Sequence, residues 1–359
     1  MRVLVIGTVQ NPRDARVSER EIAALQEAGH RVTQAAPFSF FRVQPRPGVV
    51  PIDIPAARGR RRARALLAAR KVLRREGPRH DVVILHNPEA VLATAGMRHD
   101  VLVWDVHEDT AAAVSMKEWI PSPLKRPATA LVHRLERYAE RHMRLLLAES
   151  AYAERFALPH PVVPNTTTVP ETARPTGRGR LVYVGTLTRE RGGDDLVAVG
   201  RGLPSEISLQ LVGTAHGSLA ARLSEANTRG TLEWRGYLPN DEALAIVEGA
   251  TAGLSLLHDE PNYRHSMPTK LYEYLARGVP FISTPLPLAC ALAEASGAGI
   301  IVPFGDSKAV VDAAELLNSD DERRQAMADA GRRWMLENAD WRRDGAAFVD
   351  QLERWTLKR

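Results

Sequence analysis

The chain has 359 residues, of which 44% are hydrophobic and 25% are charged, as is typical of a globular protein. Because this length exceeds that of one ordinary α/β domain, it predicts two domains. The net charge of +5 indicates an anionic partner, and the single cysteine, Cys290, excludes internal disulfides and cysteine-rich zinc sites. No run approaches the ~20 apolar residues of a membrane-spanning helix, and the opening apolar run is too short for a signal peptide, so we expect a cytoplasmic protein.

Short apolar runs rich in β-branched residues alternate with helical patterns along the chain, which predicts an α/β fold with parallel sheets and helical crossovers. The first set of predicted strands covers residues 3–6, 31–35, 82–85, 101–104 and 145–148. The second set covers residues 181–184, 209–212, 232–234, 252–256, 281–283 and 299–302. This pattern predicts two Rossmann-like halves.

Two further segments complete this organisation. Residues 164–179, between the halves, are rich in proline, threonine and glycine and are predicted to form a linker. The chain from Glu322 onward has a helical pattern and carries Trp334, Trp341 and Trp355, which we interpret as core residues. The sequence therefore predicts that the second half is followed by a long helical segment.

The loop after the first strand begins at Gly7 and leads into a helix that is predicted to end near Ala28. A Gly-x-Gly-x-x-Gly fingerprint is absent from this loop and from every other predicted strand-to-helix turn, which argues against a dehydrogenase. Arg13, Asp14 and Arg16 lie in this loop as candidate binding residues. A solvated helix start is the alternative interpretation of these three residues.

A basic segment follows between Arg58 and Arg75, with nine basic residues and no acidic one. On a helix it would place apolar side chains on one face and basic side chains on the other. The apolar face comprises Ala65, Leu66, Ala69, Val72 and Leu73, and the basic face comprises Arg60, Arg64, Lys71 and Arg75. Such a helix can lie on an anionic membrane. Its apolar face is small and rich in alanine, so packing against its own domain explains the pattern equally well.

His107 lies just beyond the predicted strand 101–104, at the edge of a parallel sheet where ligands bind. A neutral imidazole at this edge can hold a hydroxyl group while other side chains neutralise phosphate. The acidic neighbours Glu108 and Asp109 favour this interpretation over a histidine that merely caps a loop. His86 occupies the same edge after the preceding strand.

The segment from Met267 to Thr284 opens a helix with free backbone N–H groups and places Lys270 and Glu273 in its first turns. Unpaired amides and the positive end of the helix dipole favour phosphate oxygens, and a carboxylate one turn further on can accept both hydroxyls of a ribose. Gly278 then ends the helix before a buried strand. The segment predicts a site for a nucleoside diphosphate, with an ordinary helix-to-strand unit as the alternative.

Together with the turns at Tyr183–Gly192 and Arg235–Pro239, these segments resemble the motifs of GT-B glycosyltransferases of the retaining family 4 type. The motifs occur in the family's order along nearly the whole chain. The resemblance implies two Rossmann-like domains that face a cleft, with a C-terminal helix that crosses back to the N-terminal domain. Residues 1–168, with about 340–359, would form the acceptor domain, and residues 175–339 the domain that binds the nucleotide-sugar donor.

The resemblance also implies roles for residues of the second domain. Lys270 and Arg191 would neutralise the donor diphosphate, and Glu273 would hold the ribose. The base would be held near Tyr237 and Leu238, unless Tyr237 is a core residue. The other expected donor contacts are Gly185, Thr186, His265, Ser266, Met267, Pro268 and Thr269. Two of these depart from the family pattern, because Thr186 stands where an arginine is usual and His265 where the first of two glutamates is usual.

In the first domain, the resemblance implies that His107 reaches toward the transferred sugar. With Lys270 and Arg191 it completes the set of candidate catalytic residues. The expected acceptor contacts are Thr8, Arg13, Asp14 and Arg16.

The activity implied by the resemblance is transfer of a sugar from a nucleoside diphosphate to an acceptor, with retention of the anomeric configuration. The acceptor, a small molecule, a lipid-linked sugar or a glycan, is not identified by the sequence. The leaving phosphate would take the acceptor proton, so catalysis would consist of orientation and stabilisation of the diphosphate. We expect no metal ion, because no Asp-x-Asp motif is present, no cofactor and no nucleic-acid partner.

Contact with the inner face of an anionic membrane is a further expectation, which depends on the basic segment. Three alternatives to a glycosyltransferase stay open: a nucleotide-sugar epimerase, a glycosyl phosphorylase and a non-catalytic protein that binds a nucleotide sugar. Incubation with the donor alone distinguishes the first two, because only the epimerase needs no second substrate.

Overall fold

The computed structural model describes residues 1–108, 110 and 121–357, without the side chains of Arg60 and Ser122. The chain divides into two compact units. Unit 1 consists of Met1–Asn165 and Trp341–Arg359, and unit 2 consists of Thr166–Asp340. In each unit a parallel six-stranded sheet is covered by helices, which is the two-domain GT-B arrangement predicted from the sequence.

The sheet of unit 1 has the strand order β3-β2-β1-β4-β5-β6, and all neighbouring strands are parallel. Its strands are β1 Arg2–Ile6, β2 Arg31–Ala36, β3 Val50–Asp53, β4 Val82–Leu85, β5 Leu102–Val106 and β6 Arg144–Leu147. In the register of the central strands, Ile6 of β1 is opposite Ala35 of β2 and Leu85 of β4. The loops after β1, β4 and β5 therefore leave the sheet at the same edge.

The helices of unit 1 cover both faces of this sheet. In the described part of unit 1, the first helix is a π-helix at Ala15–Ile22 that continues into α1 Ala23–Glu27. The α-helices that follow are α2 Phe38–Phe41, α3 Arg62–Glu76, α4 Pro88–Ala93, α5 Ser122–His142 and α14 Trp341–Leu357. Short 3-10 turns lie at Gly59–Arg61, Gly77–Arg79 and Ser150–Arg155. Successive strand residues point to opposite faces, so Leu4 and Ile6 pack with α3, α4 and α5, whereas Val3 and Val5 face α1 and α14.

The C-terminal helix α14 belongs to unit 1 although it follows unit 2 in the chain. Trp341, Phe348 and Leu352 lie in one apolar cluster with Ile22 and Leu25. Burial of each such side chain stabilises the fold by about 1.5–3 kcal/mol. The last helix thus returns to the N-terminal sheet, as the resemblance implied.

The sheet of unit 2 has the strand order β12-β11-β10-β7-β8-β9 and is also parallel. Its strands are β7 Arg180–Val184, β8 Ser208–Val212, β9 Glu233–Trp234, β10 Ala252–Ser255, β11 Phe281–Ser283 and β12 Gly299–Ile301. Its helices are α6 Gly193–Gly202, α7 Gly217–Thr228, α8 Asn240–Val247, α9 Pro261–Arg264, α10 Thr269–Ala276, α11 Pro287–Ser296, α12 Ser307–Ser319 and α13 Asp321–Asn338. Two apolar clusters, one on each face, form its core.

Each strand predicted from the sequence is present, with ends that differ by at most two residues. The strand β3 was not predicted. It is short, contains Pro51 and lies mostly exposed at the edge of the sheet, so it lacks the apolar pattern of the buried strands. Among the described residues, no helix is long and apolar enough to cross a membrane.

The basic segment forms α3, and four of the five side chains predicted for its apolar face are buried: Ala65, Ala69, Val72 and Leu73. The fifth, Leu66, is half-buried. On the opposite side Arg64, Lys71, Arg74 and Arg75 are exposed, together with Leu67. The side chain of Arg60 lies outside the described part of the chain. The apolar face of α3 thus packs on its own domain, and its basic face is exposed to solvent.

Candidate functional site

The strongest candidate site in unit 2 surrounds the start of α10, which begins after Pro268 without a side-chain cap. Lys270 and Glu273 are both buried, each with 7% of its surface exposed. The helix is held against the sheet by Tyr274, whose hydroxyl donates to the carbonyl of Leu254 at 3.1 Å and accepts from the amide of Val184 at 3.1 Å. The two candidate side chains are therefore anchored at the carboxyl ends of β7 and β10.

Lys270 carries an ammonium group for which no hydrogen-bond partner is found among the described residues. Its Nζ atom lies 3.5 Å from the centre of the Tyr183 ring. Burial lowers the pKa of Lys270 well below its ordinary value, and the positive charge of Arg191 lowers it further, whereas Glu273 acts in the opposite direction. A buried cation without an anionic partner is costly, and such groups are typical of sites that bind an anion.

Two glycines bring the loops after β7 and β8 together beside Lys270. Gly185 has φ +131° and Gly213 has φ +143°, values that favour glycine. A Cβ atom on Gly213 would lie 1.8 Å from the carbonyl oxygen of Gly185. The amide of Gly213 in turn donates to the carbonyl of Gly236 at 2.7 Å, which attaches the loop after β9. The backbone of three loops thus converges at one edge of the sheet.

The other predicted donor residues lie on the loops after β7 and β9 and in the segment at the start of α10. Thr186 is exposed after β7, Tyr237 is 50% exposed after β9, and Leu238 next to it is half-buried. Arg191 is half-buried, with its guanidinium carbon 5.9 Å from the centre of the Tyr263 ring. In the segment before α10, His265 is exposed, Ser266, Met267 and Thr269 are half-buried, and Pro268 is buried.

Unit 1 has a buried ionic cluster at the corresponding edge of its sheet, centred on Asp105 of β5. Arg16 donates from Nε and Nη2 to the two carboxylate oxygens of Asp105, at 2.8 and 2.6 Å. Burial alone would raise the pKa of Asp105, but the charge and hydrogen bonds of Arg16 hold it well below the ordinary value. Glu21 lies 3.1 Å from Arg16 Nε, and burial raises its pKa. Arg16 is only 4% exposed, so its charge neutralises the carboxylates of this cluster.

His107 is attached to the same carboxylate, because its Nδ1 atom lies 2.9 Å from Asp105. On the other side, its Nε2 atom lies 2.8 Å from the side-chain amide nitrogen of Gln10. The amide of Thr8 can only donate, so Asn87 accepts from it with Oδ1, at 2.6 Å, and donates with Nδ2 to Gln10 at 2.7 Å. Gln10 must then donate to Nε2 of His107.

These directions define the tautomer of His107: Nδ1–H donates to Asp105 and Nε2 accepts. Burial lowers the pKa of His107, but the hydrogen bond and charge of Asp105 outweigh this effect and raise the pKa above its ordinary value. The neighbouring His86 is also buried, and burial lowers its pKa. Unit 1 thus presents one imidazole, that of His107, held in a defined orientation at the sheet edge.

The other residues expected to contact an acceptor are engaged within unit 1. Thr8 is fully buried. Asp14 caps the π-helix by accepting from the amides of Arg16 and Val17, at 3.0 and 3.2 Å. Arg13 is half-buried and forms an ion pair with Glu19 at 2.9 Å. Of the four expected acceptor residues, Thr8 and Arg16 are buried, whereas Arg13 and Asp14 are half-buried.

His86, Asp105 and His107 offer ligand atoms close enough together to hold a metal ion. The fit is poor, however, because both oxygens of Asp105 already accept hydrogen bonds from the guanidinium of Arg16. A metal cation at this point would also be repelled by that fixed positive charge. The chemistry of these residues suits an ion pair that orients His107.

Sequence reasoning missed Asp105, Glu21, Gln10 and Asn87. A signal was present for Asp105, which interrupts the apolar strand Val101–Val106. A charged residue in a buried strand needs a partner of opposite charge, and Arg16 in the first loop is that partner.

Family profiles match both units of the chain. The profile described as Glycosyltransferase Family 4 matches residues 15–171, and that described as Glycosyl transferases group 1 matches residues 165–334. No curated protein sequence matches the chain.

Several solved structures share the fold over the full length. Sucrose-phosphate synthase from Thermosynechococcus elongatus has 15% identity and a TM-score of 0.76, with 100% of both chains covered. HepE of Anabaena, in complex with UDP and glucose, has 13% identity and a TM-score of 0.72, with 98% of this chain and 99% of that chain covered. WaaG, a glycosyltransferase involved in lipopolysaccharide biosynthesis, has 15% identity and a TM-score of 0.69, with 98% and 99% covered. At these identities the likeness concerns the fold.

Proposed function

Because the chain belongs to the GT-B glycosyltransferases of the family 4 type, we propose that it transfers a sugar from a nucleoside diphosphate to an acceptor, with retention. The observation that carries this proposal is the buried ammonium of Lys270, which has no hydrogen-bond partner among the described residues and lies at the start of a helix. Diphosphate oxygens are the partners that such a cation and the helix start favour. The UDP-glucose complex of HepE supports a nucleoside-diphosphate sugar as the donor.

In this mechanism the diphosphate is held by Lys270, by Arg191 and by the first turn of α10. Glu273 accepts hydrogen bonds from the ribose, and the loop carrying Tyr237 and Leu238 contacts the base. As the bond between sugar and phosphate breaks, negative charge develops on the leaving diphosphate, and preorganised cations stabilise it. The acceptor oxygen bonds to the anomeric carbon on the face from which the diphosphate leaves, and its proton passes to the leaving phosphate, so no nucleophile of the protein is required. Because Lys270 and Arg191 neutralise the diphosphate in this proposal, no metal ion is required either.

His107 orients the transferred sugar in this proposal. Its Nδ1–H is committed to Asp105, and its Nε2 lone pair can accept from a sugar hydroxyl in place of Gln10. Orientation of this kind lowers the barrier because the reactants need not find the reactive geometry by chance. Arg13 contacts the acceptor in this proposal, because its side chain is half-buried and its ion pair with Glu19 leaves the other guanidinium nitrogens free of that contact. By contrast, Arg16 is buried against Asp105, and Asp14 caps the π-helix.

The test of this function has two stages. A panel of nucleoside diphosphates is first screened by thermal shift, where a ligand at 100 times its Kd stabilises by about 2.7 kcal/mol. The sugar form of the best nucleotide is then incubated with the enzyme, with and without candidate acceptors. Transfer to an acceptor with the anomeric configuration of the donor is the expected result.

Other products would point to other activities. Conversion of the donor alone would indicate an epimerase, and formation of a sugar phosphate would indicate a phosphorylase. Binding without any turnover would indicate a non-catalytic protein, the alternative suggested by the departures at Thr186 and His265. Absence of any nucleotide binding would contradict the transferase, the epimerase and the non-catalytic protein that binds a nucleotide sugar.

We also propose that the basic face of α3 contacts an anionic membrane, where a lipid-linked acceptor would be found. Leu67 is 63% exposed and is surrounded by Arg70, Lys71, Arg74 and Arg75, a combination suited to anionic headgroups around one inserted apolar side chain. Arg70 itself also donates to the carbonyls of Ala93 and Ala95. The contribution to membrane binding is about 1 kcal/mol per exposed charge.

Sedimentation with vesicles of phosphatidylserine and phosphatidylcholine tests this contact. Replacement of Arg64, Lys71, Arg74 and Arg75 by glutamine should release the protein, as should high salt, while nucleotide affinity stays unchanged. A control variant removes four exposed charges from unit 2 instead: Arg201, Arg229, Lys308 and Arg323. If wild type fails to sediment at low salt, or if both variants behave alike, the membrane contact is wrong.

A further inference from the structure

Tyr183 and Lys270 form a contact that the proposed mechanism does not use. Tyr183 is fully buried at the end of β7, and its hydroxyl donates to the carbonyl of Thr186 at 2.9 Å. The core around the ring holds it in place, and the hydrogen bond attaches the loop after β7 to it. The Nζ atom of Lys270 lies over the face of the ring, 3.5 Å from its centre, within the range of a strong cation–π contact.

The remaining surroundings of the Lys270 ammonium offer little support for its charge. Burial removes water from the ammonium and the positive charge of Arg191 repels it, and both effects lower the pKa of Lys270. Glu273 favours the charged form, but its effect on the pKa is smaller than either of these. Gly185 also lies beside the ammonium, where a Cβ atom would be 3.5 Å from Nζ and 4.0 Å from the hydroxyl oxygen of Tyr183. The ammonium is closed off from solvent in the unliganded protein, and Gly185 is a neighbour that places no side chain against it.

We propose that Tyr183 is a positioning residue for diphosphate recognition: its ring seats the Lys270 ammonium beside Gly185, so that a diphosphate can bind the ammonium while the ring contact is kept. This inference rests on the proposed function, because it assumes that Lys270 binds the donor diphosphate. Tyr183 itself would not touch the donor.

The proposal has a consequence that a merely structural role lacks. The ring stabilises the charged form of Lys270, so its removal should lower the pKa of Lys270 further. Below the pKa of Lys270 in the unliganded protein, the lysine is already charged and binding needs no proton. Above it, a diphosphate must bring about proton uptake, so affinity falls as pH rises. Without the ring this fall begins at a lower pH.

The first experiment measures the affinity of nucleotide sugars by calorimetry across a pH series, for wild type, Tyr183→Phe and Tyr183→Leu. UDP-glucose is the first probe, followed by GDP-, ADP- and TDP-sugars. At the alkaline end Tyr183→Leu should bind roughly three- to thirtyfold more weakly than wild type, and the two affinities should converge at the acid end. Tyr183→Phe keeps the ring and should follow wild type.

A second experiment observes the contact directly. The chain has only six lysines, so lysine side-chain NMR with 13C labels is simple to assign with Lys270→Met. In unliganded wild type the Hε protons of Lys270 should be shifted upfield by the ring, and the signal should titrate at lower pH than the exposed lysines. Tyr183→Phe should keep the upfield shift.

Each outcome has a defined meaning. Equal weakening of Tyr183→Leu at every pH, no weakening at all, or loss of affinity in Tyr183→Phe would overturn the role of Tyr183 and leave the donor site standing. A Lys270 signal without an upfield shift in wild type would overturn it even if the leucine variant does not fold. If no nucleotide sugar binds wild type, the proposed function is wrong. The role of Tyr183 in diphosphate recognition is then also wrong, whatever the NMR signal shows.

Discussion

Replacement of Lys270 by methionine should raise the stability of the unliganded protein and weaken the binding of a nucleotide. In unliganded wild type the buried ammonium is unsatisfied among the described residues, which costs about 1–3 kcal/mol or more for a charged group. The cation–π contact with Tyr183 offsets about 0.5–2 kcal/mol of this cost. Methionine fills a similar volume without a charge. We therefore expect the variant to be more stable than unliganded wild type by about 1 kcal/mol, or about 2–4 °C in Tm for a domain of this size.

The pH dependence of this gain follows from the lowered pKa of Lys270. Below the folded-state pKa, both folded and unfolded wild type carry the proton and the penalty is fully present. Between that pKa and the ordinary lysine value of 10.5, the unfolded state binds the proton and the folded state does not, so wild-type stability rises with pH. The advantage of Lys270→Met should therefore shrink through this window and vanish above it.

Thermal unfolding with and without the best-binding nucleoside diphosphate measures both effects. Wild type should gain stability from the nucleotide, whereas Lys270→Met should lose most of this gain, because a charge-assisted hydrogen bond to phosphate contributes about 1.5–3 kcal/mol. Lys308→Met is the matched control, since Lys308 is exposed and paired with Asp312. The reasoning is refuted if Lys270→Met is less stable than wild type without ligand and keeps the full nucleotide response.

Three other predictions concern the donor site, the ion pair of unit 1 and the metal. Glu273→Ala should weaken the nucleotide sugar by about 1.5–3 kcal/mol in calorimetry and Glu273→Gln by less; unchanged affinity in the alanine variant would remove the ribose assignment. Asp105→Asn leaves the buried guanidinium of Arg16 without its carboxylate and should destabilise unit 1 by about 3–5 kcal/mol in urea denaturation, and a loss below about 1 kcal/mol would mean that the pair matters little. Turnover in excess chelator should equal turnover without it, and loss that magnesium or manganese restores would show that a metal ion neutralises the diphosphate.

Much of the fold was predictable because both sheets are parallel and buried. Their strands are short apolar runs, such as Val82–Leu85, which stand out from the flanking helices. The exceptions have physical reasons. The exposed edge strand β3 has no such run, and the π-helix at Ala15–Ile22 has the same residue types as an α-helix. Its wider turn is not encoded in apolar spacing.

The candidate site was predictable where it depends on local chain direction. The start of α10 could be read from Pro268 and from the spacing of Lys270 and Glu273 on one helix. Contacts between distant segments were not visible: Arg16 was expected to face an acceptor, yet it is paired with Asp105. The contact of Tyr183 with Lys270 likewise arises only when the sheet is assembled.

A crystal structure with the nucleoside diphosphate that gives the largest thermal shift tests the central claim most directly. The diphosphate should lie at the first turn of α10, with a phosphate oxygen within hydrogen-bond distance of Lys270 Nζ and with the ribose hydroxyls at Glu273. A nucleotide bound elsewhere, or a Lys270 ammonium that contacts no phosphate oxygen, would contradict the assignment of this edge of unit 2 as the donor site.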